Sequence, residues 1–264
     1  MTRVGFVGAG RMGGPMVRRI VETGHDVRVL GRTDEKLQAA RELGAEGVTE
    51  LSRVGDGAEV VVVCVFTDEQ VAQVCLGSEL VSAMPPRAAI VIHTTGSPRT
   101  AQAVAAEAPG IDVIDAPVSG GPHNIAGGDV TLFVGGSADA FARVRPMLAC
   151  YGDPILHVGP LGSGQGVKLV NNALFAAQIG LLRETVALGQ RLGVDEAKLL
   201  EAITHGSGAS RVGGFVAAGG SVAAFVERTG EFIGKDVDIV RKIVAELGSE
   251  LGLLDDVINT GIRP

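Results

Sequence analysis

Tryptophan is absent from this chain, tyrosine occurs once, and aromatic residues make up only 3% of it. A surface that stacks nucleic-acid bases draws on exposed aromatics and has almost nothing to use here. Basic residues are also scarce: 23 Lys and Arg stand against 30 Asp and Glu, a net charge of −7. Such a protein does not track a phosphate backbone unless a local patch overrides its field, so no nucleic-acid partner is expected. Cysteine is sparse, and Cys64, Cys75 and Cys150 form no C-x-x-C pair. An odd, scattered set reads as reduced thiols of a cytoplasmic protein. His25, His93, His123, His157 and His205 lack metal-ligand spacing, and no metal is expected. Long apolar runs are missing as well. Val60 to Phe66 is among the longest and is too short to span a bilayer. Met1-Thr2-Arg3 leads straight into Val4 with no signal-peptide apolar region, so a soluble, cytoplasmic protein with no membrane partner is expected.

What is present is a globular composition. Hydrophobic residues make up 46% and charged residues 20%, which excludes intrinsic disorder. The 39 glycines show no G-X-Y period, which excludes collagen. A length of 264 residues suits one large or two modest domains at about 150 residues each. The core must be packed from Val, Leu, Ile and Ala.

The first part of the chain alternates strand and helix. Val4 to Val7 is a short apolar run, followed by a glycine-rich turn and a helical stretch from Met12 to Glu22 that Gly24 ends. A strand follows at Val27 to Leu30, then a helix capped by Thr33 or Asp34 and running through Leu43. Val60 to Val65 is β-branched and apolar throughout, as a parallel strand covered on both faces requires. Further strands are expected at 89–92, 111–114, 130–134 and 155–158. The alternation predicts an α/β fold with a doubly wound sheet.

Near residue 160 the pattern changes. Gly159 to Gly166 is a glycine-rich junction, and no convincing strand follows it. Val167 to Leu192 has helical periodicity and no proline, which predicts a long interdomain helix. Further helices are expected at 195–204 and 231–247, while Gly206 to Gly220 offers no element that can be placed. The expected domains are 1–161, binding a dinucleotide, and 162–264, all-α.

Gly8-Ala9-Gly10-Arg11-Met12-Gly13 is G-x-G-x-x-G, with a strand before it and a helix after it. The first glycine makes the tight turn, the second lets the backbone approach a pyrophosphate, and the third packs helix on strand. The helix amides and dipole then meet the phosphate charge. Arg11 and Met12, inside the motif, are counted with the cofactor site. NAD-binding chains place an acid at the end of the second strand, where this one has Leu30-Gly31-Arg32-Thr33. Asp34 suits a helix cap better than a ribose ligand. Arg32 can pair with a 2′-phosphate and the Thr33 hydroxyl can donate to it, which favours NADP, with NAD as the alternative. The other reading of Arg32 is a solvated surface side chain.

Four blocks occur in order: Gly8 to Met16 as G-x-G-x-M-G-x-P-M; Asp115-Ala116-Pro117-Val118-Ser119-Gly120-Gly121; Gly162-Ser163-Gly164 leading to Lys168 and Asn172; and Lys235-Asp236. In this the chain resembles the β-hydroxyacid dehydrogenases, the family of 3-hydroxyisobutyrate dehydrogenase, tartronate semialdehyde reductase and glyoxylate/succinic semialdehyde reductase. The resemblance implies an N-terminal Rossmann domain, a long interdomain helix and a helical domain like that of 6-phosphogluconate dehydrogenase. It makes Lys168 the proton donor and acceptor at the substrate oxygen and Asn172 the residue that orients it. At i and i+4 the two share one helix face. It has Ser119, Gly120 and Gly121 receive a substrate carboxylate, puts Thr95 beside the nicotinamide, has Lys235 close over the cofactor, and has Asp236 orient that lysine. The implied activity is NADP-linked hydride transfer between nicotinamide and a small 3-hydroxy acid or its semialdehyde, by an oxidoreductase acting on CH–OH donors. Dimers or tetramers built through the helical domain are implied too.

The chain departs from the family pattern in places. Ile92 and His93 stand where an acid usually precedes the next hydroxyl pair, here Thr94-Thr95. His123 and Asn124 occupy positions often small or apolar. The ending Ile262-Arg263-Pro264 is early for the family, so the last helix is expected to be absent or rearranged. One alternative is an imine reductase on the same scaffold, against which Lys168 counts. Another is decarboxylating 6-phosphogluconate dehydrogenase, which would want a histidine where Asn171 stands. A third is a non-catalytic nucleotide-binding scaffold, which would lose the lysine and gain basic regions.

Overall fold

The computed structural model describes residues 1–262, and the chain divides into two compact units, one ending at Lys168 and the other beginning at Leu169. The first unit is built on nine strands: β1 (Arg3–Val7), β2 (Asp26–Leu30), β3 (Glu46–Val48), β4 (Val60–Val63), β5 (Ala89–Ile92), β6 (Asp112–Asp115), β7 (Val118–Ser119), β8 (Val130–Gly135) and β9 (Gly152–Gly159). Its helices are α1 (Gly13–Glu22), α2 (Asp34–Glu42), α3 (Leu51–Gly55), α4 (Asp68–Cys75), α5 (Glu79–Ala83), α6 (Pro98–Glu107), α7 (Pro122–Gly127) and α8 (Ala138–Leu148). The sheet order is β3-β2-β1-β4-β5-β6-β8-β7, with β9 beside β8. From β3 to β6 every pair is parallel; β8 runs antiparallel to β6 and β7, and β9 parallel to β8.

The valines of β4 show why its sequence carries no alternation. Val60 and Val62 enter one apolar cluster and Val61 and Val63 the other, on opposite faces of the sheet. The strand ends at Val63 and not at Val65 because the backbone of Val65 leaves the ladder: its N–H donates to Thr94 Oγ1 at 2.9 Å, and Thr94 Oγ1 donates to its carbonyl at 3.0 Å. Thr33, Thr67, Ser97 and Ser137 cap α2, α4, α6 and α8 through their side-chain oxygens. Asp34, the alternative cap, lies one residue inside the first turn.

A long helix, α9 (Ser163–Arg191), starts four residues earlier than its periodicity suggests and crosses the boundary between the units. After it come α10 (Glu196–His205), α11 (Arg211–Ala218), α12 (Val222–Glu246) and α13 (Leu253–Ile262). The segment 206–220, opaque in sequence, holds α11, begun by Ser210 Oγ accepting from Gly213 N at 2.9 Å. Expected over 231–247, α12 begins at Val222, because Ser221 caps it at Ala224 N, 3.1 Å away. The described residues end in α13, whose Ile258 is buried in the core of the second unit and whose Asp255 pairs with Arg241 of α12 at 2.6 Å. Arg263 and Pro264 of the expected early ending lie outside the described residues. No helix among the described residues is long and apolar enough to cross a membrane.

Candidate active site at the carboxyl edge of the sheet

Strands β1, β2, β5 and β6 all end on one edge of the sheet, and β1 and β4 are the pair where the order reverses. That switch point opens the crevice where doubly wound sheets bind ligands. The glycine-rich turn sits there. Gly8 has φ +99°, and a Cβ on it would overlap the carbonyl oxygen of Cys64. A Cβ on Gly13 would overlap Gly8 O and come within 2.8 Å of the Phe6 ring, so α1 packs directly on β1. At Gly10 a Cβ would meet nothing within 4 Å. The two outer glycines are demanded by the protein itself, and the middle one faces open space. Met12, at the N-cap of α1, makes no side-chain cap bond, and the first turn holds no acid. Amides left without a side-chain cap at a helix start suit a pyrophosphate, so this turn fits a dinucleotide. Arg11, exposed, follows Gly10 on the same turn.

At the end of β2, Arg32 and Thr33 are both exposed. The Thr33 oxygen accepts from Lys36 N at 3.3 Å, which leaves its hydroxyl proton available to donate.

The loop after β5 carries half-buried Thr95 between two anchored neighbours. Thr94 holds Val65, and Gly96 N donates to Gln165 Oε1 at 3.0 Å. After β6, Ser119 lies in β7, paired with Thr131. The Gly121 N–H donates to Asn124 Oδ1 at 2.9 Å. Asn124, noted in sequence only as a departure, therefore shapes the loop from within and already engages one of its amides.

Lys168 and Asn172 lie one turn apart on α9. Within the second unit, Asn172 Nδ2 donates to Asp236 Oδ2 at 3.3 Å, and the two line a small cavity of about 70 Å³ with Phe175 and Ile233. Burial lowers the pKa of neighbouring Lys235, and the charge of Asp236 opposes that shift. The structure thus gathers Gly8–Gly13, Arg32, Thr33, Thr95 and Ser119–Gly121 along one sheet edge of the first unit, and Asn172, Lys235 and Asp236 in the second. Among the described residues no cluster of His, Cys, Asp or Glu could hold a metal ion. A cavity of 410 Å³ opens at the opposite edge, lined by Ser78, Val81, Ser82, Met84, Glu107 and Pro109 among others; it contains none of these site residues.

Two further polar residues belong to this edge. Asp115, the last residue of β6, is fully buried, and Gln165 is 1% exposed. Asp115 accepts from Gly162 N and Gln165 N at 2.7 and 2.6 Å. Burial pushes its pKa up, and backbone N–H donors, Gly162 and Gln165 first, hold it back. In sequence Asp115 was visible only as the opening of a motif, and Gln165 gave no signal, because its partners are backbone atoms about seventy residues away.

A family model described as the NAD binding domain of 6-phosphogluconate dehydrogenase matches residues 3–159, and another, described as the NAD-binding of NADP-dependent 3-hydroxyisobutyrate dehydrogenase, matches residues 162–259. The 3-hydroxyisobutyrate dehydrogenase of Pseudomonas aeruginosa is 36% identical over 211 residues, which is 79% of this chain and 71% of that protein. The NAD-dependent L-serine dehydrogenase of the same organism is 31% identical over 211 residues, with the same shares of 79% and 71%. The solved structure of Mycobacterium tuberculosis 3-hydroxyisobutyrate dehydrogenase with L-serine superposes with a TM-score of 0.88 at 27% identity, covering 98% of this chain and 92% of that one.

Proposed function

The chain belongs to the β-hydroxyacid dehydrogenase family, oxidoreductases acting on CH–OH donors, and from that premise we propose that it interconverts a small 3-hydroxy acid and its semialdehyde with NADP. The observation that carries this reading is the placement of Lys168. Its helix is hydrogen-bonded in its first turn to the ends of β5 and β6, so the lysine leaves from the same edge as the glycine turn, Thr95 and Ser119.

A bound nicotinamide supplies or receives the hydride. Lys168 Nζ donates a hydrogen bond to the substrate oxygen and passes it a proton as the carbonyl is reduced; in the oxidative direction the neutral amine takes the hydroxyl proton. Asn172 orients the substrate and the lysine. Ser119 Oγ and the Gly120 amide hold a substrate carboxylate, with Gly121 completing the loop. Thr95 would flank the nicotinamide, and Lys235, steered by Asp236, would cover the cofactor. Arg32 and Thr33 at the end of β2 favour a 2′-phosphate, hence NADP over NAD. In this reading residues 1–161 bind the cofactor, 162–264 complete the substrate site, and the enzyme works in the cytoplasm. Lys168 speaks against an imine reductase or a non-catalytic scaffold.

The reading includes a homodimer or larger assembly. Val170, Leu174, Leu181 and Leu188 are 67, 48, 54 and 49% exposed along α9, and their spacing of four and seven residues forms one apolar stripe. Light scattering at micromolar concentration tests it, and a monomer would overturn it. The activity itself is tested by following NADPH and NADH absorbance with carbonyl acids of varied chain length and carboxylate position. Turnover of none of them would sink the proposal.

A further inference from the structure

The chemistry above requires Lys168 Nζ at a fixed distance from the reacting carbonyl, and none of the roles assigned so far holds its helix there. Asp115 and Gln165 do. Asp115 reaches from the end of β6 with Oδ1 2.7 Å from Gly162 N and Oδ2 2.6 Å from Gln165 N. These are the N-cap and third amides of α9, groups that a helix start leaves without partners. In α2, α4, α6 and α8 a local Ser or Thr serves the N-terminus. Helix α9 has no acid in its own first turn, and its cap comes from another strand. Approach this close depends on glycine: a Cβ on Gly164 would lie 2.7 Å from Asp115 O and 2.9 Å from Asp115 Oδ2.

Gln165 turns its amide the other way. Nε2 donates to Thr94 O at 2.8 Å and Oε1 accepts from Gly96 N at 3.0 Å. The two bonds bracket Thr95. Three segments are joined by four buried hydrogen bonds: the loop of Thr95, the strand that leads to Ser119, and the turn that precedes Lys168.

We infer that Asp115 and Gln165 are positioning residues that lock the first turn of α9 to the two site loops and so set where Lys168 stands against cofactor and substrate. The inference rests on the dehydrogenase reading for its consequence in catalysis. Lys168 is three residues beyond Gln165, on the same side of the helix. A lock in which one side-chain carboxylate and one side-chain amide grip backbone groups transmits geometry, and displacement of about 1 Å at a reacting group can cost on the order of 10²-fold in rate.

Gln165→Glu tests this without changing shape. Ionised, the new carboxylate sets an oxygen against Thr94 O; protonated, it donates there again. Burial raises the pKa of such a carboxyl. So do the carboxylates facing it, Asp115 across the Gln165 amide and Asp68 beside Gly96, while Lys168 opposes them. The expected result is a new pH dependence. On the acid side kcat approaches that of the wild type; above the titration of the new carboxyl it falls by about 10²-fold, with KM for NADPH unchanged. Gln165→Leu stays slow at every pH. In parallel, amide hydrogen exchange of 94–97 and 162–168 should quicken in ionised Gln165→Glu and slow again on acidification, after correction for intrinsic exchange. A wild-type pH profile for Gln165→Glu would overturn the inference, and that profile decides alone if Gln165→Leu does not fold. If the wild type turns over no carbonyl acid, the dehydrogenase reading fails and hydrogen exchange decides on the lock: unchanged exchange in Gln165→Glu overturns it.

Discussion

His93 Nε2 lies 2.7 Å from the hydroxyl of Tyr151, the single tyrosine of the chain, and both side chains are buried. On the other side of the ring, Nδ1 stands 2.5 Å from the carbonyl oxygen of Ala116. A carbonyl only accepts, so Nδ1 carries the proton and Nε2 accepts from the tyrosine. Burial lowers the His93 pKa to about 4, against the opposing bond to Ala116. His93, next to the Ile92 that departs from the family pattern, is thus a neutral strut between the end of β5 and the segment that follows α8.

A pH dependence of stability follows. Between about 6.5 and about 4 the unfolded chain protonates this histidine while the folded protein does not. Its contribution is therefore complete above pH 6.5 and is lost as pH falls, by roughly 3 kcal/mol at the lower end of the window. Urea unfolding of wild type and His93→Gln at pH 7 and pH 4.5 isolates it, because glutamine keeps a donor and an acceptor without titrating. Equal losses in both proteins would refute it.

Lys168→Ala should lower kcat by about 10²–10⁴-fold, the usual worth of general acid–base catalysis. Binding of NADPH should persist, since the glycine turn and Arg32 are untouched; titration of NADPH fluorescence checks this. Asn172→Ala should cost less, because it orients and transfers nothing. Near-normal turnover by a Lys168→Ala protein that binds NADPH would revive the imine-reductase or scaffold reading.

Arg32→Asp should reverse the cofactor preference by removing a charge-assisted partner of the 2′-phosphate and supplying an acid for a ribose hydroxyl. The ratio of kcat/KM for NADPH and NADH, measured in both proteins, decides. A wild type that uses both equally well shows Arg32 to be a surface residue.

Ser119→Ala should raise KM for a carboxylate substrate more than it lowers kcat, since that contact is made in ground and transition states alike. Equal turnover of a neutral aldehyde and its carboxylate counterpart by the wild type would exclude a carboxylate site here.

Much of this protein is written in short stretches of sequence. Val60–Val63 announces a strand buried on both faces, because successive side chains point to opposite clusters. Gly8 and Gly13 are legible because any side chain there would strike the backbone. Thr33 marks a helix start, because its oxygen serves an amide three residues ahead. Each of these signals is carried by a few consecutive residues, which is the range over which pattern and propensity act, even where the contact behind it is distant, as for Gly8 against the Cys64 oxygen. The antiparallel seating of β8 against β6 and β7, the hold of Asn124 on Gly121, the end of β4 at Thr94 and the early start of α9 were settled only in three dimensions. Most of these rest on contacts between distant parts of the chain. Asp115 meets Gly162 across 47 positions and Gln165 meets Thr94 across 71. Bonds to backbone atoms at such separations leave no periodicity and no residue preference at the far end. Thr95, Ser119 and Lys168 could therefore be proposed from sequence, while Gln165 and the bonds that join their segments at one edge of the sheet depend on the folded chain.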